Sequence, residues 1–128
     1  MRTIKMISTA VLIGLFLIMS TGMQAQDPMT AGPKVYKKIL LNNDKVRVMS
    51  VEFAPGQMMP THSHPHHTVY ALTDGTIEIT EKGKPATTAK FKMGDVLYFT
   101  PVTHKGKNVG KNTIKLVVTE IKPAPKKK

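Results

Sequence analysis

An all-β sandwich or small barrel is predicted, and three features of the sequence predict it. Turn signals recur at short intervals, among them Asn42-Asn43-Asp44, Pro55-Gly56, Thr73-Asp74-Gly75, Lys82-Gly83-Lys84, Gly94-Asp95, Lys105-Gly106-Lys107 and Gly110-Lys111-Asn112. The segments between them are short and rich in Val, Ile, Thr, Tyr and Phe, and several alternate apolar with polar residues, as in Thr76-Ile77-Glu78-Ile79-Thr80. That period of two marks strands with one buried face. Beyond the first 25 residues, no stretch carries a helical apolar stripe over about 11 positions. The 128 residues suffice for one compact domain. With no Cys in the chain, a disulfide scaffold, a thiolate metal site and a cysteine nucleophile are excluded.

Taken in order, residues 1–25 read as an export signal. Arg2 and Lys5 form a positive start, residues 10–19 (AVLIGLFLIM) an apolar core, and residues 20–26 a small, polar end. The apolar core is about ten residues long, short of the roughly 20 that a spanning helix needs. Cleavage is expected after Ala25 or Gly22, which makes the body periplasmic or secreted and leaves no stable membrane association. Of 19 Lys plus Arg, Arg2 and Lys5 lie in this leader, so 17 remain against 8 Asp plus Glu, a net charge of +9. Residues 26–34 (QDPMTAGPK) hold two Pro and one Gly without periodicity and read as a tether.

Residues 35–122 form the predicted barrel. Its strands are expected at 35–41, 45–53, 59–64, 68–72, 76–80, 87–91, 96–99 and 113–121. Many short strands with evenly spaced turns suit a sandwich or barrel. Residues 123–128 (PAPKKK) read as a basic disordered tail. Nucleic acid is excluded as a partner, because the basic residues are scattered and no aromatic residues interleave them.

Chemistry concentrates in the histidines. Four of the five lie in His62-Ser63-His64-Pro65-His66-His67, and the fifth is His104. A neutral imidazole offers a transition metal a lone pair at small desolvation cost. Residues two apart on a strand face the same side, so His62 and His64 can point together and form half a site. A third ligand must come from another strand, and His104 is the candidate.

These residues carry a resemblance. Gly56-(x5)-His62-x-His64-(x3)-Thr68-(x6)-Gly75 resembles the first cupin motif, with Thr68 where that motif has Glu. Gly94-(x6)-Pro101-x-x-His104-(x3)-Asn108 resembles the second, without its usual Gly after the Pro. The 18 residues between them match the short separation of small bacterial cupins, and the resemblance spans roughly residues 35–121. It implies a cupin double-stranded β-helix, a jelly-roll barrel of the RmlC-like type, with one divalent metal in its mouth. Carried over residue by residue, the metal ligands are His62, His64 and His104. The Glu does not carry over, since a neutral hydroxyl is a poor ligand.

Three readings of that gap compete: a three-histidine site with open positions, a fourth nitrogen from His66 or His67, or a degenerate site that holds metal loosely. By the expected strand parity Thr68, Tyr70 and Leu72 face inward and His67 outward. Tyr70 then either aims its phenol at the metal or packs in the wall, and Asn108 either holds a turn or orients His104 from behind. Arg47 and Glu52 are expected in cross-strand ion pairs. A nitrogen-only site suits Zn, Mn, Fe, Cu or Ni better than Mg or Ca, and outside the cytoplasm Fe(II) is hard to keep reduced. Three neutral imidazoles leave the metal its full charge, which acidifies bound water toward a pKa near about 7.

The sequence lacks a nucleophile triad, a phosphate-cradling loop and a zinc-protease helix motif. The expected function is a small exported cupin presenting a divalent metal to a small organic molecule, as a dioxygenase, isomerase or hydrolase. The alternative is a non-catalytic module for a small ligand or metal. The resemblance also suggests a homodimer.

Overall fold

The computed structural model describes residues 26–128, so the expected export signal lies outside the described residues. Nine strands follow one short helix. They are α1 (Pro28–Ala31), β1 (Tyr36–Asn42), β2 (Val46–Phe53), β3 (Met58–His64), β4 (His67–Ala71), β5 (Gly75–Glu81), β6 (Thr87–Phe91), β7 (Val96–Phe99), β8 (Val102–Asn108) and β9 (Ile114–Ile121). They form a five-stranded sheet, ordered β1-β2-β9-β4-β7, facing a four-stranded sheet, ordered β3-β8-β5-β6. All pairings are antiparallel. This is the jelly roll expected from the short alternating segments.

Alternation builds the core. On β9, Ile114, Leu116 and Val118 are buried, and they meet Val51 and Phe53 of β2, Ala71 of β4, and Ile77 and Phe91 from the facing sheet. Gly75 opens β5 because nothing larger fits. A Cβ there would come within 2.5 Å of Phe91 Cζ and 2.7 Å of Ile114 Cγ1. The edge strand β1 carries Lys37 and Lys38 and two register irregularities, features that discourage pairing with another chain.

Three expectations are corrected by the fold. Lys105-Gly106-Lys107 is no turn but the middle of β8, with Gly106 paired to Met59 on one side and Ile79 on the other. Being central, β8 has its backbone bonds satisfied on both sides, which outweighs the weak strand preference of Gly.

Residues 26–34 are no tether. The Gln26 carbonyl accepts a hydrogen bond from Ser63 N–H (2.9 Å), Asp27 caps α1 by accepting from Met29 N–H, and Pro28 is buried. Gly32 sits so close to Met59 that a side chain there would collide with its thioether. The segment is a strap closing the β3 edge.

The third correction concerns β4. It begins at His67, one residue earlier than expected, because the turn is completed by Pro65 and His66 alone. Its register against β9 pairs His67 with Glu120, Val69 with Val118 and Ala71 with Leu116, and opposed residues share a face. His67, Val69 and Ala71 therefore line the interior, the reverse of the expected parity, while Tyr70 and Leu72 stand exposed on the outside.

Candidate metal centre

His62 and His64 alternate inward on β3, and β8 runs antiparallel beside it with His62 paired to His104. Strand pairing thus delivers the third imidazole. His62 and His64 are buried and His104 is half-buried. One ring nitrogen from each of the three lies within 4.8 Å of the others, so the cluster can hold a metal ion. The Nε2 atoms of His62 and His104 are 3.0 Å apart. With metal–nitrogen bonds of about 2.0–2.1 Å, two ligands at a right angle would be separated by roughly 2.9 Å and at a tetrahedral angle by roughly 3.4 Å. The observed spacing falls in this range, so the donor set fits a transition metal.

Backbone carbonyls and one carboxylate set the tautomers. His62 Nδ1 lies 2.7 Å from the Pro60 carbonyl, which can only accept, so the proton sits on Nδ1 and the lone pair on Nε2. His67 repeats this arrangement with the Pro65 carbonyl at 2.8 Å. His64 Nδ1 donates to Glu120 Oε1 at 2.7 Å, and its Nε2 meets the Tyr36 hydroxyl at 3.0 Å. Fixing the far nitrogen in this way orients a metal-binding histidine and raises its basicity.

Electrostatics keep the rings available. Burial, reinforced by the neighbouring rings, pushes His62 down to about 4 and His104 down to about 3. Both are neutral donors near pH 7. Burial likewise lowers His67 and raises the Tyr36 phenol, which stays protonated. Burial alone would raise the Glu120 carboxyl, but its bonds to His64 and Arg47 outweigh that and hold it below the usual carboxylate range.

Behind His64 runs a chain of charges. Arg47 reaches Glu120 through Nε (2.9 Å) and Nη2 (2.7 Å), and Nη2 also lies 2.7 Å from Asp27 Oδ2. The strap is therefore tied to the carboxylate that orients His64. Sequence reasoning singled out neither Glu120 nor Tyr36. The signal for Glu120 was present: it shares parity with Ile114, Leu116 and Val118, a lone acid on an apolar stripe.

The remaining sequence candidates separate clearly. His67 lines the interior beside His64 (ring centroids 4.4 Å apart) and stacks on Phe99, outside the three-histidine cluster. Thr68 and Tyr70 are not at the centre, because the register of β4 against β9 turns His67, Val69 and Ala71 inward and both of these outward. His66 is exposed and bonds the Tyr98 hydroxyl. Asn108 is fully buried but serves a turn. Its amide donates to the carbonyls of Phe53 (3.1 Å) and Asn112 (2.8 Å), and its oxygen accepts from Gly110 N–H (2.9 Å). Of the two roles expected for Asn108, these bonds serve the turn rather than His104. Arg47 does pair across strands, with Glu120 as partner.

The imidazoles line a cavity of about 570 Å³ between the sheets. Its walls are apolar, with Phe53, Ile77, Phe91, Leu97, Phe99 and Val118 among them. This volume lies within the range of small-molecule sites.

Comparison with known proteins agrees with this architecture. The family described as "Cupin domain" matches residues 49–120. A cupin domain from Bordetella pertussis Tohama I superposes with a TM-score of 0.64 at 22% identity, covering 80% of this chain and 100% of that one. A protein with a double-stranded β-helix domain from Klebsiella pneumoniae gives 0.55 at 23% identity, covering 66% and 73%. An RmlC-like cupin from Methanocaldococcus jannaschii gives 0.56 at 17% identity, covering 66% and 76%. No curated protein matches the sequence. These likenesses show a shared fold, and the family match extends over more than half of the chain, so the chain belongs to the cupin family.

Proposed function

We propose that this cupin holds one divalent transition metal through His62, His64 and His104 and presents it to a small organic molecule seated in the barrel. The observation that carries this reading is the convergence of three buried or half-buried imidazoles on one predominantly apolar cavity. When bound, the metal supplies Lewis acidity toward an oxygen of the ligand. Zn, Mn, Fe, Cu and Ni all suit three nitrogens.

The chain's own residues have separable roles. Pro60 and Glu120 hold the His62 and His64 rings in their tautomers. The bonds from His64 and Arg47 keep Glu120 ionised. Tyr36 offers a protonated hydroxyl beside His64. Among the described residues, no carboxylate joins the three histidines in the cluster, so the metal would keep its charge and open positions. That favours a metal-dependent enzyme of the dioxygenase, isomerase or hydrolase kind over a closed storage site. The non-catalytic binding module is the second reading, favoured by the scarcity of groups placed to act as a general base.

Export to the periplasm or beyond is part of the proposal, supported by the pattern of residues 1–25. Elemental analysis of the purified protein tests the metal, and its amino-terminal sequence tests the cut. About one metal per chain and a start at Gln26 or Met23 are expected. A metal-free protein that also fails to take up added Zn, Mn or Cu would reject the reading.

A further inference from the structure

We infer that the ligand of this site is a small carboxylate with an apolar body, its carboxylate directed to the histidine end. This rests on the three-histidine metal centre proposed for the cavity and names its substrate class.

The body follows from the walls. Besides the histidines, much of the lining is hydrocarbon, with Phe53, Ile77, Phe91, Leu97, Phe99 and Val118 among it. A polyhydroxylated ligand such as a sugar would leave its hydroxyls without partners against these walls, and buried unpaired polar groups are strongly disfavoured. Asp95, at the Ala71 end of β4 and away from His67, does not change this, because its carboxylate already accepts from Lys92 N–H at 2.8 Å.

The head follows from the entrance. The cavity shares Glu81, Lys84, His104 and Lys105 with a recess that also contains Lys82. Glu81 is already paired with Lys84 at 2.6 Å, so the excess charge beside His104 is that of Lys82 and Lys105. A basic entrance in front of a low-dielectric cavity concentrates anions there. Apolar walls and a cationic mouth select different ends of one molecule, and a carboxylate on a hydrocarbon frame satisfies both.

Calorimetric titration of the purified protein with 3-phenylpropanoate, 3-phenylpropanamide, propanoate and glucose 6-phosphate tests this, with and without Zn²⁺. The phenylpropanoate should bind at least tenfold more tightly than any of the others. Ala89→Trp, which fills the cavity wall, should weaken it at least tenfold, with Ala89→Leu serving if the larger variant does not fold. Lys82→Glu combined with Lys105→Glu should weaken it at least fivefold while leaving Zn²⁺ stoichiometry intact. Glucose 6-phosphate or propanoate binding as tightly, or indifference to the wall and entrance variants, would overturn the inference. So would failure of 3-phenylpropanoate to bind. Stoichiometric Zn²⁺ without phenylpropanoate binding refutes the ligand class alone, whereas phenylpropanoate binding without Zn²⁺ uptake refutes the metal reading alone.

Discussion

Glu120 Oε1 lies 2.7 Å from His64 Nδ1, joining the last strand of the barrel to the candidate metal centre. Glu120 is buried, and its second oxygen is held by Arg47, so one carboxylate both orients a ligand and shares with Asp27 the charge of one guanidinium.

Replacing Glu120 by Gln keeps the shape and removes the charge. Loss of such a partner typically weakens metal affinity by about 10–100-fold. Competition with a fluorescent zinc chelator should show that loss for Glu120→Gln, with the fold intact by circular dichroism. Affinity within twofold of the parent would mean that Glu120 does not tune the site.

The histidines are expected to divide. His62→Ala and His104→Ala should each abolish stoichiometric metal, whereas His66→Ala, at an exposed ring bonded to Tyr98, should change little. His67→Ala should keep the metal but empty space against Phe99, lowering stability on the order of 2–3 kcal/mol. Metal analysis and urea unfolding of the four proteins check this. Equal metal retention throughout would reject the site.

Position 68 tests the strand parity. Thr68 lies on the face opposite His67, so Thr68→Glu should leave metal affinity within twofold of the parent. Any gain would place residue 68 inside the barrel, against the observed register in which Thr68 pairs with Tyr98 and Thr119.

The strap predicts an acid-dependent stability. Burial alone would raise Asp27, but its contacts with Arg47 and the start of α1 lower it, as contacts with His64 and Arg47 lower Glu120. A carboxyl lowered on folding stabilises the protein above its unfolded pKa of about 4, and that contribution is lost as pH falls through the folded value. These two carboxyls therefore withdraw their stabilisation from about pH 4 downward, adding to the loss that sets in below about pH 6.5 because folding holds the buried His62 and half-buried His104 neutral. Asp27→Asn retains a capping side chain, so it isolates the charge. Its melting temperature should fall less than the parent's between pH 5 and pH 3. Equal falls would show that the Asp27–Arg47 pair contributes nothing.

Much of this was legible in the sequence. The all-β class follows from alternation such as that of residues 76–80, because the period of a strand is imposed by one buried face. His62 and His64 were legible from their spacing, and His104 from the second motif. The strand carrying His104 was not, because Lys-Gly-Lys is locally a turn and becomes a strand only between β3 and β5. The parity of β4 came out reversed, since sequence does not show the register in which β4 pairs with β9. The strap was illegible for a different reason. Its hold comes from single contacts with distant residues, Gln26 with Ser63 and Asp27 with Arg47, and no local pattern announces them.

X-ray absorption on the zinc-loaded protein would probe the first coordination sphere itself. A three-histidine centre requires three imidazole nitrogens at about 2.0–2.1 Å, falling to two in any zinc retained by His104→Ala. A spectrum with one imidazole or none, or one unchanged by that substitution, would contradict it.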